Sequence, residues 1–278
     1  MKSKTKALRW RKLLIHLVLI AGIGITILPF FWMITTAFKT QGESVQMPPV
    51  WLPSQWKFNN FMDILSKPTF VQAYLNTIFT TVITVVGQVL LCAMAAYSFA
   101  RIKFPGRDIL FLLVLGVLMV PSQIFLMPQY LIIQHMGLLN TIPALFLPNL
   151  FSAFGTFLLR QAFLSLPNEL EEAAMLDGCN RFQIFYKIML PLVKSSLVAL
   201  AIMVMKFAWN DLMWPLVVNT SAKKMTLAPT LASMISEYGS NYPVQMAGAV
   251  LSILPLVILF VLFQKQFIEG VASTGVKG

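Results

Sequence analysis

Few residues of this chain are of types that make and break bonds, and those few are not spaced to cooperate. His16 and His135 stand 119 positions apart, without a ligand set beside either. Cys92 and Cys179 sit in unlike surroundings and offer neither a disulfide framework nor a metal set. No Gly is followed by Lys anywhere, so the G-x-x-x-x-G-K-[ST] loop that cradles nucleotide phosphates is missing. No Ser/His/Asp or Cys/His grouping has a workable spacing. Two other constellations stand out. One is acidic, Leu166-Pro167-Asn168-Glu169-Leu170-Glu171-Glu172-Ala173-Ala174-Met175-Leu176-Asp177-Gly178; the other sets Lys206, Trp209, Asn210, Asp211 and Trp214 within an apolar stretch.

The acidic stretch has the marks of a short helix presented to a partner. Pro167 suits a first helical position, and Glu169, Glu171 and Glu172 complement the positive end of the helix dipole. Gly178 is a natural left-handed stop. A second short helix is expected from Arg181 to Met189, running to Leu190-Pro191. The small Ala173 and Ala174 allow another protein to approach closely, and the acids give it something basic to pair with. An amphipathic connector touching only its own bundle accounts for the same composition.

The elements that must position these residues are membrane spans. Hydrophobic residues make up 58% of the 278 positions and charged ones 11%, against about 25% in ordinary soluble domains. Mean hydropathy is +0.76, which excludes a soluble enzyme of this length. A helix needs about 20 mainly apolar residues to cross the hydrocarbon. Charge-free runs of 26, 33, 51 and 27 residues lie between Lys12 and Lys39, Lys67 and Arg101, Asp108 and Arg160, and Glu237 and Lys265. The 51-residue run breaks at a turn-like stretch from Gln134 to Pro143, and an apolar stretch from Leu192 to Val218 adds another span. Six helices are therefore predicted, near 13–37, 74–100, 109–132, 142–164, 192–218 and 244–264. Pro29, Pro121, Pro128, Pro148, Pro215 and Pro255 fall inside them and are expected to kink their helices.

The net charge of +11 must be read by position, as loop charge of a membrane protein rather than as a nucleic-acid surface. With a cytoplasmic N-terminus, inner segments hold 14 Lys and Arg and outer loops hold Lys39, Lys57, Lys67, Lys223 and Lys224. Both termini are thus predicted on the cytoplasmic side of a bacterial-type cell membrane. Residues 1–12 form a basic cytoplasmic segment, and 13–278 form one six-helix domain whose inner loop covers about 165–191. Thr77, Thr80, Thr81, Thr84 and Gln88 share one helix face, expected to be a packing seam. Lys206 near mid-span would cost about 2.5–3.5 kcal/mol unless it faced a cavity or partner. It shares a face with Asn210 but not with Asp211, so a Lys206–Asp211 bridge within one regular helix is not expected. A solute pathway and a purely structural role both remain open for this group.

Glu172-Ala173-Ala174, three residues, Gly178, nine residues, then Ile188-Met189-Leu190-Pro191 resembles the EAA signature of ABC importer permeases. Trp209-Asn210-Asp211 with Trp214-Pro215-Leu216, and the ending Gln264-Lys265-Gln266-Phe267-Ile268-Glu269-Gly270…Gly275-Val276-Lys277-Gly278, resemble the carbohydrate-uptake branch, the type of the smaller maltose permease. Lys206 departs from the apolar residue expected there in relatives. The resemblance implies an all-α, type I importer permease with six transmembrane helices and a cytoplasmic coupling helix. It implies a second related permease, two ATP-binding subunits and an extracytoplasmic solute-binding protein as partners, besides membrane lipid. ATP and Mg would be bound by the ATPase subunits, and this chain would be a non-catalytic subunit without a cofactor of its own. Carried onto this sequence, the ATPase-coupling positions are Glu172, Ala173, Ala174, Asp177, Gly178, Ile188, Leu190 and Pro191. The solute pathway would involve Lys206, Trp209, Asn210, Asp211 and Trp214, with the two indoles available to stack on sugar rings. The cargo would be a sugar, oligosaccharide or related polyol. An ion-coupled secondary transporter and an ABC permease for a non-sugar solute are the alternatives.

Overall fold

A computed structural model describes residues 2–237 and 241–275, with side chains described for 12–234 and 241–264; the ending Val276-Lys277-Gly278 lies outside the described residues. Among these the chain is helical, without strands. In order it forms α1 (Lys2–Ala37), α2 (Gln41–Val45), α3 (Asn59–Leu65), α4 (Pro68–Arg101) and α5 (Arg107–Val117). A 3-10 turn (Ser122–Phe125) leads into α6 (Leu126–His135), and α7 (Ile142–Phe146) passes through another (Leu147–Asn149) to α8 (Ala153–Leu164). Then come α9 (Glu169–Leu176), α10 (Arg181–Gln183), a π turn (Ile184–Met189), α11 (Leu190–Leu192) and α12 (Lys194–Trp209). The chain continues through α13 (Met213–Val218), α14 (Leu227–Glu237) and α15 (Tyr242–Gly275).

Three stretches are long and apolar enough to cross a membrane alone: Lys12–Ala37, Pro68–Arg101 and Tyr242–Gln264. Three further helix pairs reach that length and apolarity only together and are bent, by 99° between Arg107–Val117 and Ser122–His135, 45° between Ile142–Asn149 and Ala153–Leu164, and 79° between Arg181–Leu192 and Lys194–Trp209. Each bent pair taken as one span makes six.

Three of the predicted spans are corrected, and the one expected over 142–164 is interrupted after Phe146, beside Pro148, and resumes at Ala153 with a 45° bend. The helix expected over 109–132 stops at Val117, because Pro121 lacks an N–H and drives Val120 away from helical torsions. The helix expected over 192–218 is broken at both ends of α12. At its far end Asn210 turns back to donate from Nδ2 to the Lys206 carbonyl (2.8 Å), and Asp211 Oδ1 accepts from Trp214 N (3.3 Å). Pro215 has no N–H to offer the Asp211 carbonyl, so α12 ends and α13 restarts under the Asp211 side chain. Pro167 precedes Asn168 at the helix entrance rather than occupying the first turn of α9.

The described residues group into two compact units, one within Met1–Pro68 and Leu231–Leu254, the other within Thr69–Thr230 and Pro255–Gly278. In the first, Asn60 Nδ2 donates to the carbonyls of Ala37 (2.8 Å) and Lys39 (2.9 Å), closing the end of α1. Phe38 meets the rings of Trp56, Phe58 and Phe61 there. Lys39 is fully buried, with Nζ 3.7 Å from the Trp32 ring centroid and 3.3 Å from Thr36 Oγ1.

The second unit holds both constellations. Its main core joins Cys92, Ala93, Ala96 and Tyr97 of α4 to Leu159 and Phe163 of α8, Ala174 of α9, Ile184, Phe185 and Met189 of the π turn, and Leu200 and Val204 of α12. Gly155 permits the close approach: a Cβ there would sit 3.0 Å from Cys92 Sγ and 3.2 Å from Leu200. Near the opposite end, Trp214 and Val218 pack with Ile133, Ala144 and Leu145. The threonines of the α4 polar stripe form a packing seam, as expected, while Gln88 at its end borders a hollow. Thr77, Thr80, Thr81, Thr84 and Gln88 are buried, and Thr77 Oγ1 accepts from Leu227 N at 2.8 Å. Beside them Asn76 Nδ2 donates to the carbonyls of Lys223 (3.0 Å) and Met225 (2.8 Å).

Candidate functional site

The acidic stretch folds as α9 and presents a clean division of faces. Glu171 and Ala174, three apart, turn inward; Glu172, Ala173, Leu176 and Asp177 turn outward, Leu176 being 89% exposed. Gly178 closes the helix at φ +81°. Cys179 N donates to the Ala174 carbonyl (3.0 Å) and Gly178 N to the Met175 carbonyl (3.1 Å), the paired bonds of a Schellman stop. Asn180 then caps α10, its Oδ1 accepting from Gln183 N at 2.9 Å. Ile188 and Leu190 pack on the main core, while Pro191 is exposed.

Glu171, read from sequence only as a helix-dipole acid, is the anchor of this element. Its Oε2 meets Arg181 Nη1 at 3.3 Å and its Oε1 lies 3.7 Å from Arg101 Nε. Arg101, the last residue of α4, also donates to Asn168 Oδ1 and to the carbonyls of Phe163 and Leu166. The Arg101 and Glu171 side chains are 5% and 8% exposed. The outward face of α9, small at Ala173 and acidic at Glu172 and Asp177, is therefore held out by a buried ionic root.

The second constellation lines a cleft of about 890 Å³, built where three elements lose regular helix together. Gln123 comes from the turn before α6 and Gln129 from α6 itself. Asn149 comes from the turn before α8, Lys206 from α12, and Asn210 and Asp211 from the break after it. Phe125, Met203, Phe207 and Met213 supply apolar walls. Lys206 forms no ion pair among the described residues. Four side-chain amides, an ammonium and a carboxylate facing one apolar-walled space can hydrogen-bond a polar solute from several sides. A smaller hollow of about 310 Å³ shares Asn149, Met203 and Phe207 and adds Gln88 and Ser152.

The indoles divide. Trp214 lines the cleft but is fixed, with Nε1 donating to the Ala144 carbonyl at 2.8 Å. Trp209 turns away, buried edge-to-face against Tyr74 at 5.9 Å, and does not line the cleft. Gln123, Gln129 and Asn149 are additions to the expected set. Their sequence signal is that each stands beside a span-interrupting proline, Pro121, Pro128 or Pro148.

A bundle of bent, cleft-bearing spans with an acidic helix projecting from one end is the architecture of a transport-system membrane component. The chain matches the family of binding-protein-dependent transport system inner membrane components over residues 88–272, and it belongs to that family. It is 37% identical over 281 residues to the arabinooligosaccharides transport system permease protein of Halalkalibacterium halodurans, covering 100% of both chains. It is 32% identical to the diacetylchitobiose uptake system permease protein of Streptomyces coelicolor, over 94% of this chain and 87% of that one. With the sn-glycerol-3-phosphate transport system permease protein of Brucella abortus the identity is 30%, over 93% and 95%. The fold is similar to that of a chain in a bacterial ABC transporter involved in alginate import, with a TM-score of 0.84 at 24% identity over 93% of this chain and 97% of that one. The protein is an all-α, multi-pass inner membrane component of a transport system.

Proposed function

We propose that this chain is the permease subunit of an ATP-driven importer of a sugar, oligosaccharide or related polyol, working by alternating access. The observation that carries the reading is α9, whose inner face is anchored while Glu172, Ala173, Leu176 and Asp177 are left without cover. Such a face fits a cleft in an ATP-binding subunit that offers a basic partner to Glu172. The chain has no Gly-Lys phosphate cradle, so ATP and Mg belong to that partner. A second related permease would complete the path, and a solute-binding protein would deliver cargo to the end bearing Lys223 and Lys224. Both termini are then cytoplasmic. Residues 13–278 act as one permease domain, with 165–191 as the coupling loop. The sugar assignment is supported by the cargoes named for the arabinooligosaccharide and diacetylchitobiose relatives, and by a cleft rich in amides suited to hydroxyl groups.

The test is the complex purified with its ATP-binding subunits and assayed in vesicles. Glu172→Lys should leave insertion intact and separate ATP hydrolysis from uptake. Asn210→Ala and Lys206→Met should weaken uptake at low solute concentration. Wild-type uptake in Glu172→Lys, or a chain that co-purifies with no ATP-binding subunit, would defeat the reading.

A further inference from the structure

The ionic root beneath α9 does something that apolar packing would not, because one guanidinium reaches three separate pieces of chain. Arg101 ends α4; its Nη2 donates to carbonyls of Phe163 in α8 and Leu166 after it, and its Nη1 to Asn168 at the entrance of α9. Its Nε faces Glu171 within α9, and Glu171 in turn holds Arg181 at the start of α10. Removing charges from water is unfavourable, so a buried ion cluster adds little to stability beyond well-packed apolar residues; what it does supply is one permitted arrangement. Sliding of α9 against α4 would part Glu171 and Asn168 from Arg101, and sliding of α8 against α4 would strip the Phe163 and Leu166 carbonyls of their donor. The same two helices lead to the solute space: Gln88 of α4 and Ser152, immediately before α8, line the smaller hollow that adjoins the cleft.

We propose that Arg101 and Glu171 are positioning residues that clamp α9 to the ends of α4 and α8, so that displacement of α9 is carried to the cleft as a rigid-body motion. This rests on the reading of α9 as the element an ATP-binding subunit grips. A coupling of this kind needs a continuous element with discrete arrangements, and the clamp excludes the intermediate ones.

The experiment uses the complete complex in nanodiscs, with its ATP-binding subunits and binding protein, in a Cys179→Ser background. Met203→Cys reports on the cleft wall through its rate of labelling by a small thiol reagent, with and without ATP, Mg²⁺ and vanadate. A separate Ala173→Cys sample reports docking by cross-linking to the ATP-binding subunit. Nucleotide should change the Met203→Cys labelling rate by about tenfold in the parent, a typical size for coupling between sites. Glu171→Gln and Arg101→Lys should retain the Ala173→Cys cross-link yet reduce that change to less than about twofold. A cross-link with an undiminished labelling change in both variants overturns the clamp and leaves docking standing. A parent complex with no cross-link at Ala173→Cys overturns docking and the clamp with it. Should the single variants fail to assemble, the apolar pair Arg101→Met/Glu171→Leu decides, since it leaves no lone buried charge. Loss of the labelling change in that pair supports the clamp, and its persistence refutes it.

Discussion

At the scale of single residues, backbone torsion and proton affinity make separate predictions. Gly178 is held at φ +81°, where L side chains lose about 1–2 kcal/mol and β-branched ones lose most. No atom lies within 4 Å of where its Cβ would stand, so the cost there is torsional and not steric. Gly178→Val should therefore lower the thermal midpoint of the purified complex and disturb the docking face, whereas Gly178→Asn, tolerant of left-handed torsions, should stay close to the parent. Equal midpoints for the two variants would contradict this account. Glu43 presents the second case. The Ser54 hydroxyl, then the Thr40 and Ser54 N–H groups, hold its carboxylate at a pKa of about 2, below the ordinary 4.5. A depressed folded pKa gives stability that is complete above about 4.5 and is lost as pH falls through about 2. Hydrogen-exchange protection of the Ser54 amide, corrected for intrinsic rate, should fall across that window, and Glu43→Gln should abolish the dependence.

Among elements, what could be read in advance tracks what a charge costs in lipid. Long charge-free runs mark Lys12–Ala37, Pro68–Arg101 and Tyr242–Gln264 because an ion there is expensive. The breaks after Val117 and Asn149 leave hydropathy high and hold no charge, so they are invisible to a charge count, whereas the one after Trp209 carries Asp211 and is not. They show instead as proline beside an amide or carboxamide-bearing residue, at Pro121 with Gln123 and Pro148 with Asn149. The outward face of α9 was legible from Ala173 and the acids; the role of Glu171 was not, since its partner Arg101 belongs to a distant helix. Tertiary pairing also decides the turn between α6 and α7. Asn140 adopts φ 59°, and its Oδ1 accepts from Thr220 N (3.3 Å) and Ser221 N (3.0 Å). Asn219 Nδ2 donates both to the Thr141 carbonyl of that turn (3.4 Å) and to the Lys224 carbonyl (2.8 Å). Asn140→Gly keeps the torsion but loses two hydrogen bonds, each worth about 0.5–1.5 kcal/mol. Asn140→Ala loses them and adds a left-handed penalty of about 1–2 kcal/mol. Thermal midpoints should fall in the order parent, Gly, Ala, and an Ala variant as stable as the Gly variant would show the torsion to be unstrained.

For the whole molecule, the hydrogen bonds at helix ends determine direction of travel within the second unit. Asn76, Asn140, Asn219 and the 220–227 stretch meet at one end; Arg101, Phe163, Leu166, Asn168 and Glu171 meet at the other. Both Pro68–Arg101 and the pair Ile142–Asn149 with Ala153–Leu164 thus run toward the Arg101 end. The intervening Arg107–His135 must return the chain, so it makes one crossing despite its 99° bend. The Arg101 end also carries Arg107, Arg160, Arg181 and Lys187, against Lys223 and Lys224 opposite, the distribution that the positive-inside bias expects of a cytoplasmic end. Cysteines placed one at a time in a Cys179→Ser background, where the remaining Cys92 is fully buried, should then separate cleanly. Ser221→Cys should react with a membrane-impermeant thiol reagent on intact cells, and Asp177→Cys should react only after the cells are opened. Labelling of Asp177→Cys on intact cells would put α9 beyond the reach of any cytoplasmic ATPase, and with that the basis for reading α9 as the driven element would be gone.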